Sequence, residues 1–127
     1  MSDVKKVVQF RLKKSEETFA EAKFLAEKAH WNGVVNRLYY AAFYAITAYL
    51  HQENVFTKTH NGVKSKFHEL LLKTGILSER FGDIYTDLFS NRQDGDYEDF
   101  MVFTKEEIEP FIEETESLIA DIKKLII

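Results

Sequence analysis

The stretch 36-NRLYYAAFYAITAYL-50 sets five aromatic rings within eleven positions, beside a single arginine, Arg37. Such a pairing can hold a ligand, because arginine is almost never buried unpaired and each buried tyrosine hydroxyl needs a partner. Asn36, Tyr40, Tyr44, Thr47 and His51 recur at helical spacing and draw a polar seam along an otherwise apolar helix. The seam either binds other helices or a second subunit, or lines a functional cleft. A second candidate is 58-KTHNGV-63, where Lys58, Thr59 and His60 precede a helix start. Free amides and the helix dipole hold anions at such a place, although the G-x-x-x-x-G-K-[ST] spacing of a P-loop is missing. The third candidate is Arg92, four residues after Leu88 on the same helical face, where the helix dipole is negative.

Other chemistries find little support. The chain has no cysteine, so neither a disulfide nor a thiolate metal site can form. His30, His51, His60 and His68 show no H-x-x-x-H or H-E-x-x-H spacing, and no metal or other cofactor is expected. The segment 94-DGDYED-99 resembles a calcium loop only superficially. With Gly95 at the sixth position, Ser90 falls first, Arg92 third and Met101 twelfth, so the first carboxylate and the bidentate glutamate are both missing.

The elements that must position these residues are helical throughout. Residues 3–30 carry an apolar stripe from Val4 to Ala29, and His30-Trp31-Asn32-Gly33 is expected to end that helix, with Gly33 left-handed and Asn32 capping the next. Residues 34–52 are apolar on nearly every side and predict a buried central helix, with Leu38, Ala41, Ala42, Ala45, Ile46, Ala48 and Leu50 in the core. A loop follows, with a turn at Asn61-Gly62, and then a helix through Val63, Phe67, Leu70 and Leu71 that stops near Thr74-Gly75. Ser78 can cap a fourth helix, with a break expected at Gln93-Asp94-Gly95. Thr104 and Glu107 have capping-box spacing for the last helix, in which Pro110 predicts a kink or a late start. The expectation is an all-α, up-and-down bundle of four to five helices, forming one domain over residues 1–127.

Net charge is −4, but residues 1–75 hold twelve Lys/Arg against seven Asp/Glu, and residues 76–127 hold five against fourteen. The halves can attract each other as faces of antiparallel helices. The basic half can instead meet a polyanion, or the acidic half a basic partner. No signal peptide is visible. The longest uncharged apolar run, Leu38 to Leu50, would reach roughly 20 Å as a helix, short of a membrane's ~30 Å core. A soluble, cytoplasmic protein without membrane association is expected.

Taken together, Asn36-Arg37-Leu38-Tyr39-Tyr40-Ala41-Ala42-Phe43, Lys58-Thr59-His60-Asn61-Gly62-Val63, Lys73-Thr74-Gly75 and Arg92-Gln93-Asp94-Gly95-Asp96-Tyr97 closely resemble the HEPN domain family, in its branch of small stand-alone prokaryotic proteins. The resemblance covers roughly residues 8–125. It implies a helical bundle, usually a homodimer, often paired with a nucleotidyltransferase as a toxin–antitoxin module. It also places Asn36, Arg37 and Tyr40 near the Arg92 region. Many members are metal-independent ribonucleases, whose motif is an arginine followed after four to six residues by a histidine. Histidine moves a proton near neutral pH while arginine holds the phosphate. Here the positions that should hold that histidine are Tyr97, Glu98 and Asp99. The chain is therefore expected to bind, not to catalyse by itself, contacting a nucleotide or RNA phosphate through Arg37, Tyr40, Lys58, His60 and Arg92. The alternative is a ribonuclease with a degenerate Arg-x4-Tyr motif, in which Arg92 and Tyr97, helped by His60, do the work. A third reading is an adaptor bundle whose acidic half docks a basic protein.

Overall fold

The computed structural model of the chain describes residues 2–97 and 101–127, with the backbone alone at Tyr97. Five α-helices follow one another: α1 (Asp3–Glu27), α2 (Trp31–Gln52), α3 (His60–Phe67), α4 (Arg80–Tyr97) and α5 (Lys105–Leu125). A π-helical turn, His68–Leu72, continues α3 and buries both Leu71 and Leu72. No strand occurs among the described residues, so the fold is the all-α bundle that the periodicity predicts.

Helix α2 is the centre, packing against the other four helices. Leu38, Ala41, Ala42, Ala45, Ile46, Ala48 and Leu50 are all buried, as expected from their positions. The alanines keep that surface thin, and α1 comes close enough for the buried Ser15 hydroxyl to donate to the Ala41 carbonyl at 2.7 Å. On the opposite side Phe81, Tyr85 and Leu88 of α4 and Ile108, Leu118 and Ile122 of α5 complete the core.

Four boundaries differ from the sequence expectation, and at two of them a glycine serves close packing instead of ending a helix. Helix α1 ends at Glu27, and α2 starts at Trp31 instead of residue 34. The left-handed residue between them is Ala29, at φ 58°, not Gly33. Amides of Ala29 and His30 donate to the carbonyls of Ala26 and Leu25 at 3.0 Å each, the paired bonds of a Schellman ending. Gly33 lies inside α2, where an added Cβ would stand 3.1 Å from Leu25 Cδ1, so it serves close helix approach. Asn32 caps nothing. Its side chain donates to the Met101 carbonyl at 2.8 Å and accepts from the Phe103 amide at 3.0 Å.

Asn61-Gly62 is the first turn of α3, not a separate turn, with Thr59 as N-cap accepting from the Gly62 amide at 2.9 Å. Gln93-Asp94-Gly95 does not break α4, which runs on to Tyr97. An added Cβ at Gly95 would lie 3.0 Å from Phe103 Cε2, so this glycine also allows a close contact. The extension matters, because it carries Asp96 one turn beyond Arg92. Helix α5 opens with the expected capping box, the Thr104 and Glu107 side chains each bonding the other's amide. It starts at Lys105 with Pro110 inside it, so the late start does not occur.

Among the described residues only one ion pair joins the two halves of the chain, Lys123 to Glu16 at 2.6 Å, and it runs against the overall charge asymmetry. Attraction between a basic and an acidic half is thus not what these pairs supply. No helix among the described residues is long and apolar enough to cross a membrane.

Ala29 occupies a left-handed conformation that costs a side-chain-bearing residue roughly 1–2 kcal/mol. Ala29→Gly is expected to raise unfolding free energy by about 0.5–1 kcal/mol, less than the strain because glycine also frees the unfolded chain. Urea denaturation measures it, and an unchanged or lowered midpoint would contradict the assignment.

Candidate functional site

Helix α4 places Phe89, Arg92 and Asp96 on the side that meets the tyrosines of α2. Arg92 is 8% exposed. Its guanidinium carbon lies 4.9 Å from the Tyr39 ring centre, 5.9 Å from that of Tyr40 and 6.0 Å from that of Phe89. The negative faces of the rings hold the cation, each contact contributing about 0.5–2 kcal/mol according to desolvation. Its counter-charge is distant: Nη1 stands 3.7 Å from Asp96 Oδ2, too far for a hydrogen bond. Nε is buried and has no hydrogen-bond partner among the described residues. Orphaned charged donors are costly in a low dielectric, so the charge of Arg92 is only partly compensated by its described neighbours.

A polar chain braces the arginine. Asn36 Nδ2 donates to Asp96 at 3.3 and 3.4 Å, and Asn36 Oδ1 accepts from Arg37 Nε at 3.0 Å and Nη2 at 2.7 Å. Arg37 Nη1 in turn meets Glu21 at 3.2 Å, and its guanidinium lies over the Tyr40 ring at 5.5 Å. The two arginines are thereby joined through Asn36 and Asp96. Arg37 has most of its donors occupied by the protein.

His60, the first residue of α3, stacks on Phe43 with ring centres 4.7 Å apart. Its Nδ1 lies 2.7 Å from the Tyr39 hydroxyl, which also accepts from the Tyr85 hydroxyl at 3.4 Å. Tyr39 donates to Nδ1 when the imidazole proton sits on Nε2 and accepts from Nδ1–H in the other tautomer, its oxygen having two lone pairs. Burial, and then the nearby Arg92 charge, hold the His60 pKa below the usual histidine value. Burial pushes the Tyr39 and Tyr85 hydroxyls up, so neither ionises near neutral pH. Lys64, one turn after His60, has its ammonium 5.0 Å from the Phe89 ring centre. Lys58 is exposed.

The structure therefore brings His60, Tyr40 and Arg92 around Tyr39, with Arg37 at the edge and Lys58 on the flank of α3. The Tyr97 side chain, Glu98 and Asp99 lie outside the described residues. Thr59 already occupies the Gly62 amide, which leaves fewer free donors at the start of α3 than the 58–63 motif suggests. Among the described residues no three His, Asp or Glu are placed to share a metal ion. An open groove of about 910 Å³ lies on the other flank between α3 and α4, lined by Lys64, His68 and Asp83 among others, and does not include Arg92.

Sequence reasoning singled out neither Tyr85, Phe89 nor Lys64 as part of this site, although their spacing held the signal. Tyr85, Phe89 and Arg92 stand at i, i+4 and i+7 on one helix, and His60 and Lys64 at i, i+4 on another.

Fold and site define an α-helical bundle that presents an aromatic-bound arginine beside a neutral histidine. The chain belongs to the HEPN domain family, whose sequence model matches residues 8–125. It is 30% identical over 126 residues to a "UPF0332 protein" of Thermotoga maritima, covering 99% of this chain and 96% of that one. It is 33% identical over 122 residues to "Putative toxin MJ0605" of Methanocaldococcus jannaschii, covering 96% and 90%. With "Putative toxin MJ0142" of the same organism it shares 25% over 123 residues, covering 97% and 84%.

The depressed His60 pKa has a defined sign. The folded state disfavours the protonated imidazole, so its contribution to stability is full above the unfolded value of 6.5 and is lost as pH falls through the folded pKa. His51, lowered by burial and then by Arg11, acts in the same direction. In an NMR titration His60 should protonate below pH 6.5, and in Arg92→Gln its pKa should rise yet stay below the ordinary value, since burial is the larger cause. A His60 pKa that does not move in that variant would contradict the geometry.

Proposed function

We propose that this chain is the HEPN member of a toxin–antitoxin-like pair in the cytoplasm. On this reading it works as a homodimer with a nucleotidyltransferase partner, and it binds a nucleotide or RNA phosphate without cleaving it. The observation that carries the reading is the buried Arg92 guanidinium, held by aromatic rings, which among the described residues has only a remote carboxylate and leaves Nε unpartnered. A phosphate oxygen would supply the hydrogen bond that Asp96 does not reach. The half-buried rings of Tyr40, Phe43, Tyr44 and Phe89 offer faces on which bases stack, and Lys58 and Lys64 add charge at the rim. Among the described residues neither lysine has an ion-pair partner. Arg37 has the bracing part, keeping Asn36 and Tyr40 in place. The names of the two Methanocaldococcus relatives agree with a toxin-like module.

Binding is favoured over cleavage because the motif histidine is absent at 97–99. One observation supports the ribonuclease alternative: His60 stands close enough to Arg92 to feel its charge. Fluorescence anisotropy with a short labelled single-stranded RNA separates the two. Wild type should bind in a salt-sensitive way without cutting, and Arg92→Gln should bind at least about tenfold more weakly, as expected for one or two charge-assisted hydrogen bonds. The exposed Lys58→Gln should reduce the salt dependence while leaving thermal stability unchanged. Metal-independent cleavage lost in both Arg92→Gln and His60→Gln would overturn the binding reading in favour of the enzyme. Failure to co-purify with a co-expressed nucleotidyltransferase would remove the module assignment.

A further inference from the structure

The polar seam of α2 does not end at Arg92. Passing from Tyr40 towards His51, each turn meets a cation: Arg37 over Tyr40 at 5.5 Å, Lys14 over Tyr44 at 5.5 Å, and then Arg11, whose Nη1 donates to the Thr47 carbonyl at 3.4 Å. Arg11 and Lys14 come from α1, one turn apart. Among the described residues neither has an ion-pair partner.

The seam closes in a small pocket of about 100 Å³. Arg11, His51, Thr47 and Thr57 supply its polar lining, and Leu50 and Val55 its apolar part. Phe56, 64% exposed, forms the remaining wall, its ring edge-to-face with His51 at 4.7 Å between centres. Among the described residues no carboxylate lines the pocket. Arg11 spends one N–H on a long bond to Thr47, while the Thr47 hydroxyl is turned to the Tyr44 carbonyl at 3.1 Å. The rest of the Arg11 fork, the His51 imidazole and the Thr57 hydroxyl have no protein partner among the described residues.

We infer that this pocket is a second oxyanion site, sized for one tetrahedral phosphate, held by the Arg11 guanidinium with His51 and Thr57 as further donors. The volume admits one such group and excludes a base or sugar, and three donor-bearing side chains suit an anion with three free oxygens better than a planar carboxylate. Burial, and then the Arg11 charge, lower the His51 pKa in the free protein, and an anion seated between them would oppose the Arg11 part. From Tyr40 to His51 the helix rises about 16 Å. A phosphate at Arg11 can therefore belong to the same strand whose other phosphate meets Arg92, an extension that rests on the reading proposed above.

The test follows the His51 imidazole by NMR in the full chain. Inorganic phosphate should shift its resonances saturably and raise its pKa. Arg11→Gln should weaken that effect at least tenfold, and Thr57→Val should weaken it less, with both variants folded by far-UV circular dichroism. Arg92→Gln should leave the phosphate response at His51 intact, so failure of the central site and failure of this one are distinguishable. A 5′-phosphorylated tetranucleotide that shifts His51 where its unphosphorylated counterpart does not assigns the phosphate to a strand. A response to inorganic phosphate alone assigns it to the free anion. A His51 signal unmoved by phosphate, or moved equally in Arg11→Gln, would overturn the proposal.

Discussion

The arrangement depends on how one buried cation is held. Arg92 lies almost wholly inside the bundle, and desolvating a guanidinium costs several kcal/mol even after relaxation. Three aromatic faces and one carboxylate at 3.7 Å offset part of that cost. Everything nearby follows from keeping those partners in place. The alanines of α2 bring α1 close, so Glu21 reaches Arg37. Arg37 fixes Asn36, and Asn36 fixes Asp96. Removing any link would leave the cation less compensated.

The same electrostatics set the chemical character of the site. Tyr39 and Tyr85 are too buried to ionise near neutral pH, and their hydroxyls form a hydrogen-bonded chain to His60. Burial, and then Arg92, favour the neutral form of His60. A neutral donor next to an undercompensated cation suits holding an anion more than moving a proton. The Arg11 pocket repeats that logic at the far end of α2, with His51 again neutral beside an arginine.

Much of this was legible in the residues. The stripe from Leu38 to Leu50 announced the central helix, and the spacing of Leu88 and Arg92 put the arginine on the buried face of α4. Glycine misled. Gly33 and Gly95 read as helix ends, yet both sit inside helices, where a missing Cβ admits Leu25 and Phe103. Local pattern cannot distinguish a glycine needed for φ from one needed for contact, and the left-handed position fell to Ala29. The pairing of His60 with Tyr39 was equally hidden, because it joins residues twenty-one apart through the geometry of a loop. The family motif hinted at that region without showing which atoms meet.

The most direct test of the account is the side-chain Nε–H resonance of Arg92 in 15N-labelled protein, followed as short single-stranded RNA is added. A buried Nε–H with no partner among the described residues should give a resolved, slowly exchanging signal. RNA should move that signal saturably, in step with the binding curve, as a phosphate oxygen becomes its acceptor. RNA that binds while the Arg92 signal stays where it was would place recognition elsewhere on the bundle and contradict the central claim.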